Sequence, residues 1–516
     1  MRINSIFALI VLSILSFEIK AQNQADTVIA NSNFNTGDSL LRLAQHREAI
    51  TYYDKAGDIY KQLGVWDRYV DCLNKSAEGE WRSSQFDRSL EKSRLALKEC
   101  AVYLGDNSEQ GADAYSNIGV YFGLQAKHDS ALIYFEKSLE IQKVLFGDKH
   151  LKVAKSLSRL GLTAGNSGKF EQALDYLHQC RLIQEELDPE SLELALTYRN
   201  LAYYLKIINR FTQAEEYSRK SLEINEKLLP PDHPAIAQSL SGLAGVFFDF
   251  REYDLALKTS LRALRIFEKT IGESHFLTLS TLNQVAISYQ NINDFEQAFL
   301  YYDRYERAIL NVYSEAHPDY LNILYGKGLL FFELFEYDSA ASYFNKAYQF
   351  YQKYPAPKSI GLPSVLHALG SVESEKRNFL EGIKKQKEAI ELAEQANRYT
   401  SVVLYANEVS DDYRDIGELD SALYFLDLAE RTNLRNPSGS KIPFDYILLL
   451  RTKWKKAVVL YRKFHRDGNL DFAMASYKNH LLSDSLIQII RYRRNTYEDK
   501  VEFSANIKRI YQGSVD

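Results

Sequence analysis

Residues 161–180 read GLTAGNSGKFEQALDYLHQC, residues 202–221 read AYYLKIINRFTQAEEYSRKS, and residues 286–305 read AISYQNINDFEQAFLYYDRY. Each stretch begins on a small residue, reaches Ala twelve positions later, and carries further marked residues four and seven beyond that: Gly161, Ala173, Leu177 and Cys180; Ala202, Ala214, Ser218 and Ser221; Ala286, Ala298, Tyr302 and Tyr305. Small residues are needed where two helices cross closely, because a large side chain there forces the axes apart. The spacing therefore predicts an antiparallel hairpin, with the first small residue on helix A and the Ala on helix B.

The same spacing extends in both directions. Upstream lie Gly37, Ala49, Tyr53, Ala56, then the looser Ala77, Ser89, Ser93, Ala96, then Gly119, Ala131, Phe135, Ser138. Elsewhere it returns as Ala244, Ala256, Ser260, Ala263; Gly328, Ala340, Phe344, Ala347; Gly370, Gly382, Gln386, Ala389; and Ser410, Ala422, Leu426, Ala429. The helix-B markers fall at 49, 89, 131, 173, 214, 256, 298, 340, 382 and 422, steps of 40 to 42 residues. A fixed period of that size is the signature of a repeat architecture. A bulky residue precedes the markers at Phe170, Phe211, Tyr253, Phe295, Tyr337, Phe379 and Leu419, placed to plug the end of each hairpin.

This pattern resembles the tetratricopeptide family, and more closely its 42-residue variant as in kinesin light chain, over about residues 35–435. The resemblance implies an all-α, right-handed superhelical solenoid of antiparallel helix pairs, about ten in number, with A helices lining a concave groove. It also implies a protein–protein interaction scaffold that holds a peptide or protein partner. Tyr305 and Gly382 depart from positions usually held by Ala and imply local repacking there.

The extra length over shorter repeats sits between hairpins, at Gly147-Asp-Lys-His150, Pro230-Pro-Asp-His-Pro234, Gly272-Glu-Ser-His275 and Glu315-Ala-His-Pro318. Gly ends one helix there, and Asp, Ser or His before Pro can start the next. The four in-register histidines come one per repeat. Neighbouring helices lie about 10 Å apart, whereas metal ligands share an ion at about 2 Å. No metal and no cofactor is expected.

Counting from the crossing residue of each A helix selects candidates for the groove. Asn117, Arg159, Asn200 and Glu408 share the register two before it, while Arg199, Asn283, Tyr325 and Asn407 share the next one out. Lys206, Phe248, Gln290, Phe332 and Arg414 lie four after it. The expectation is a basic, Asn-rich stretch (Arg159, Arg199, Asn200, Lys206) beside an aromatic one (Phe248, Tyr325, Phe332). The alternative for several of these residues is packing against the next A helix.

Composition bounds the function classes. Hydrophobic residues are 46% and charged residues 25% of 516, as in an ordinary soluble chain. Tyr occurs 36 times and Pro only 10, which suits long packed helices. The formal charge of −5 offers no basic excess for nucleic acid. Cys72, Cys100 and Cys180 form neither a metal pair nor a disulfide framework. No GxSxG, GxxxxGK[ST], HExxH or CxxC occurs, so a non-enzyme is expected. Residues 1–21 read as a secretory signal peptide, with Arg2, the apolar run Ile6 to Phe17 and a cleavage site after Ala21. That implies a periplasmic or secreted location without a stable membrane span; an uncleaved anchor is the other reading. Residues 22–34 are expected to be a linker.

After Arg435 the period breaks, and residues 436–516 read as irregular helices at about Tyr446–Arg466, Leu470–Arg494 and Asp499–Gln512. Ala473 and Tyr477 are expected to mark a last B helix. This segment resembles the junction joining tetratricopeptide arrays to CHAT domains, caspase-like modules related to separase. That resemblance implies the regulatory or sensor arm of a truncated or split CHAT peptidase as a second reading. The sensor arm of a membrane signalling or transcription-regulating system is a third. No residue matches the CHAT catalytic dyad.

Overall fold

The turn inside most of the described hairpins is the same object. In the fourth repeat, Gly168 takes a left-handed φ of 79°, and the Lys169 N–H donates to the Ala164 carbonyl at 2.9 Å, closing the end of helix A. Helix B then begins on Phe170. Arg251, Asn293, Phe335 and Arg377 adopt the same left-handed conformation two residues before Tyr253, Phe295, Tyr337 and Phe379, each the first residue of its B helix. The bulky plugs are therefore the opening residues of the B helices.

The computed structural model describes residues 23–493 except 106, 209, 355–360, 436–442 and 444. The described residues hold 22 helices and no strand. They fall into two compact units that meet between Thr270 and Ile271, a division inside the single array expected over 35–435. The first unit pairs α1 (23–42) with α2 (His46–Gln62), α3 (Trp66–Arg82) with α4 (Phe86–Tyr103), and α5 (Glu109–Leu124) with α6 (His128–Phe146). It continues with α7 (Leu151–Asn166) and α8 (Phe170–Leu187), α9 (Leu192–Ile207) and α10 (Phe211–Leu228), and α11 (Pro234–Asp249) and α12 (Tyr253–Thr270). The second unit pairs α13 (Phe276–Asn291) with α14 (Phe295–Val312), α15 (Pro318–Glu333) with α16 (Tyr337–Lys353), and α17 (Leu362–Glu375) with α18 (Phe379–Gln395). It ends with α19 (Tyr399–Asp415) and α20 (Leu419–Asn433), then α21 (Tyr446–Asp467) and α22 (Leu470–Arg493).

Odd-numbered helices are the A row and even-numbered helices the B row. Every B-row marker is buried. A methyl added at the crossing glycine would lie 2.7 Å from the Phe135 ring at Gly119, 2.7 Å from Leu177 at Gly161 and 2.5 Å from Phe344 at Gly328. Real Cβ atoms do not approach so closely, so glycine here sets the interaxial distance. Where helix B offers Ser instead of Ala, Ser89 donates its hydroxyl to the Ala77 carbonyl at 2.8 Å. Successive A helices also touch one another, as α7 with α9 and α9 with α11 in the first unit, and α15, α17, α19 and α21 in turn in the second.

Tyr305, in the place of a small residue, is accommodated from the next repeat. Tyr302 and Tyr305 are both buried, and a methyl at Gly326 on α15 would strike the Tyr302 ring at 2.4 Å. The four in-register histidines are helix N-caps. Nδ1 of His150, His233, His275 and His317 accepts the backbone N–H two residues on at 3.1–3.2 Å. An accepting Nδ1 places the ring proton on Nε2. Ser108 and Ser191 do the same work for α5 and α9.

Two expectations are corrected. Residues 23–34 are not a linker but the first turns of α1, because Ala30 and Phe34 are buried and the Phe34 ring packs edge-on to Tyr53 at 5.5 Å. In the last pair the marker is Ser476, not Ala473. Ser476 is buried and donates to the Ala457 carbonyl at 2.8 Å, whereas Tyr477 is exposed. That bond spans 19 residues against 12 for Ser89 to Ala77, and the extra length is shared between α21 and α22, so the crossing lies about one turn further along each helix. The expected helix over Asp499–Gln512 and the signal segment 1–21 lie outside the described residues.

Two outcomes follow. Gly165 on α7 faces Tyr204 on α9, and a methyl there would sit 2.1 Å from the ring. Gly165→Ala should lower stability by about 1–3 kcal/mol in urea unfolding and be neutral or favourable in a Tyr204→Leu background, a coupling read from the double-mutant cycle. His275→Ala should cost about 1 kcal/mol by the same measurement while His275→Ser costs little; equal losses would contradict the capping role.

Candidate functional site

Four A helices of the second unit, α15, α17, α19 and α21, line a cavity of about 370 Å³. Its walls differ in chemistry. Tyr325 and Phe332 on α15, with Phe344 from α16, form an aromatic side, the Tyr325 and Phe344 ring centroids 5.6 Å apart. Helix α17 contributes His367, Ser371, Ser374 and Glu375, and α19 contributes Glu408, Asp411 and Asp412. Gln386 enters from α18 and Arg451 from α21.

The spacing of α17 and α19 explains why these groups meet. His367, Ser371 and Ser374 recur at intervals of four and three, one face of a helix. Glu408 and Asp412 do the same on α19. His367 Nε2 lies 2.7 Å from Glu408 Oε2, and the Ser371 hydroxyl donates to the same oxygen at 3.2 Å. Ser374 donates to Asp412 Oδ2 at 2.6 Å. Behind them, Lys455 of α21 is buried, donates to the Asn407 carbonyl at 2.9 Å and pairs with Asp411. Arg414 also pairs with Asp411 at 2.8 Å. The terminal hairpin is thus bonded into the wall of the site.

Electrostatics separates two neighbouring carboxylates. Burial pushes the Glu408 carboxyl upward, but His367, Lys455 and Arg451 outweigh it and bring the pKa down to about 2. Asp412 goes the other way. Burial raises it to about 6, helped by the charges of Asp411 and Glu408 and opposed by the Ser374 hydrogen bond. The cluster is not a nucleophilic triad: Ser371 and His367 both address the acid, and Ser371 also donates to the His367 backbone carbonyl at 3.1 Å instead of to its ring. Among the described residues no group of three or more His, Cys, Asp or Glu is placed to hold a metal ion. The three cysteines are buried, with burial pushing the Cys180 thiol up to about 11.

The residues singled out by register divide in two. Several tie neighbouring A helices together. Asn117 is buried and donates to the Asn74 carbonyl of α3 at 3.1 Å, Arg159 donates to Ser116 of α5, and Arg199 to Gln238 of α11. Lys206 pairs with Asp249 of α11 at 3.2 Å, and Asn407 is buried against Thr452 of α21 at 2.9 Å. Asn200 is half-buried, its Nδ2 without a partner among the described residues. Phe248 packs edge-on to Tyr253 at 5.3 Å, Gln290 is buried beside the Tyr302 hydroxyl, and Asn283 is half-buried on α13. Arg414 is held by Asp411 and Asp415. Only Tyr325 and Phe332 line the cavity, together with Glu408 from the same register set. His367 and Ser374 lie three before and four after Gly370, the registers of Tyr325 and Phe332 in the preceding repeat, although neither was among the candidates; Ser371, Asp412 and Arg451 fall outside those registers. Gln386 carried a signal, a polar residue where other repeats place Phe135, Leu177 or Leu426.

The model of the tetratricopeptide repeat matches residues 69–143, 127–183, 152–227, 193–258 and 235–310. Nephrocystin-3 of Xenopus laevis is 40% identical over 68 residues, and that of Mus musculus 41% over 68. The matched stretch is 13% of this chain and only 5% of each of those proteins. Among solved structures, the apo form of RapI resembles this chain with a TM-score of 0.50 at 14% identity, covering 80% of this chain and 100% of that one. BtubC of P. vanneervenii gives a TM-score of 0.37 at 20% identity, over 48% and 93% of the two chains. At these identities the structural likeness concerns the fold alone.

Glu408 supplies a stability test. Its folded pKa lies below the ordinary value, so its contribution is complete above about pH 4.5 and is lost as the pH falls toward 2. At pH 5, Glu408→Gln should lower stability by on the order of 3 kcal/mol, and the difference from wild type should shrink steadily between pH 4.5 and pH 2 in urea titrations.

Proposed function

Because the chain is built of tetratricopeptide repeats, we propose that it is a non-catalytic scaffold that holds an extended segment of a protein partner against its A-helix row. One observation carries this reading: the cavity lies between four A helices, and half-buried aromatic side chains of its lining, Tyr325 and Phe332, stand opposite a cluster of charged ones. A surface that only had to keep the helices soluble would not gather Tyr325, Phe332, Glu408 and Asp412 around one space. The 42-residue repeats present the same face in every hairpin, so a partner segment can run along successive A helices. Affinity for such a segment comes from a few anchors set in pockets, with the remaining contacts excluding water.

The same reading places the chain outside the cytoplasm, supported by the Arg2 and Ile6 to Phe17 pattern at its start. Among the described residues no helix is long and apolar enough to cross a membrane.

Photo-crosslinking tests the surface. Peptides selected from a random library on the full chain should crosslink to a photo-reactive residue placed at Leu329 or Ser371 of the A row. They should not crosslink to one placed at Tyr424, which is exposed on the B row. Equal crosslinking from Tyr424 would overturn the reading.

A further inference from the structure

The ninth repeat is the one in which the array breaks its own packing rule. Its crossing is Gly370 over Gly382, and a methyl at Gly370 would lie 3.0 Å from the Gly382 carbonyl oxygen. At Gly382 a methyl would strike the Ser374 hydroxyl at 2.4 Å, so the missing side chain makes room for a polar group inside the hairpin. Four residues after Gly382, where Phe344 and Leu426 fill the equivalent sites of neighbouring repeats, stands Gln386. It is only 1% exposed, and its Oε1 is buried without a hydrogen-bond partner among the described residues.

Gln386 and Asp412 converge on the same hydroxyl. The Gln386 Nε2 lies 3.5 Å from Ser374 Oγ, which donates to Asp412 at 2.6 Å. Asp412 is 6% exposed and has no cation paired with it among the described residues. Its neighbours are matched: Asp411 with Lys455 and Arg414, Glu408 with His367. Glu375 accepts from the Tyr337 hydroxyl at 3.1 Å. The cavity floor therefore presents a buried carboxylate and a buried amide oxygen, both acceptors, under an aromatic wall. The Gln386 oxygen is left unmet and Asp412 accepts only from the Ser374 hydroxyl, so a donor from outside would be favoured there.

We propose that this cavity is an anchor site for an arginine side chain of the bound segment, a reading that rests on the scaffold function above. The guanidinium carries several N–H donors in a plane, enough to meet Asp412 and the Gln386 Oε1 together. It is weakly hydrated and stacks on aromatic faces, which half-buried Tyr325 and Phe332 provide. A lysine ammonium is a compact, strongly hydrated charge that gains less from the same wall. The volume of about 370 Å³ suits one long side chain and its adjoining backbone rather than a folded domain. Arg451, the one arginine among the lining residues, acts with His367 and Lys455 to hold Glu408 ionised, which leaves Asp412 as the acid without a paired cation among the described residues.

The test uses the full chain and a blocked Gly-Gly-Arg-Gly-Gly peptide with its lysine and citrulline counterparts, followed by ligand-observed NMR. The arginine peptide should bind about tenfold more tightly than the citrulline one, which keeps the shape and loses the charge. Asp412→Asn and Gln386→Leu should each weaken arginine binding about tenfold. Gln386→Leu restores the residue type of Leu177 and Leu426 and should unfold no earlier than wild type. Equal binding of citrulline or lysine, or undiminished binding by both variants, would overturn the proposal. Library peptides that crosslink to Leu329 or Ser371 but carry no arginine would sink the anchor and leave the scaffold reading standing; absence of crosslinks to the A row would remove both.

Discussion

Everything in this protein depends on how closely helix A and helix B of one hairpin approach. A small residue on each side of the crossing sets that distance, as the contacts of Gly119, Gly161 and Gly328 show. Close approach lets the residue four beyond the marker, such as Phe135, Leu177 or Phe344, cover the crossing and enter the core. The left-handed turn and the bulky first residue of helix B then fix the hairpin's end. Each hairpin still leaves apolar surface open, which only the next hairpin covers, so stability is shared between neighbours along the stack.

Stacking in turn determines what the polar side chains of the A row can do. Successive A helices touch, so a long polar residue two or three positions before the crossing reaches the adjacent A helix before it reaches a ligand. Asn117, Arg159, Arg199 and Asn407 are spent in this way, as lateral bonds between repeats. Other polar groups gather around the α15–α21 cavity, where the regular ladder gives way to a cluster of acids and aromatics. The terminal hairpin helps to build that exception, since buried Lys455 and half-buried Arg451 come from α21.

The exception was partly legible. Gly382 and Gln386 break the pattern in the sequence, and repeat rules say that such breaks are accommodated by neighbours or used. Tyr305 shows the first outcome, buried with its hydroxyl beside Asp319 and Asn322 of the next repeat. Gln386 is not absorbed in that way: its amide oxygen stays buried without a partner among the described residues, beside Ser374. The histidines were legible only in part, because their register identified a shared structural duty at the start of helix A, and the coordinates supplied the accepted N–H that makes them caps.

By itself the sequence determined the period, the pairing of helices, the crossing residues and the plugs, since all of these are consequences of local spacing within one hairpin. It also marked the end of the regular array after Arg435. The helical start at 23–34, the shift of the last crossing to Ser476, and the choice of which A-row side chains line a cavity were decided only by tertiary structure. The physical reason is distance along the chain. Lateral bonds such as Asn117 to Asn74 or Asn407 to Thr452 join residues 43 and 45 positions apart. Whether a side chain at such a position faces a neighbour or a cavity depends on the neighbour's residue, not on its own register.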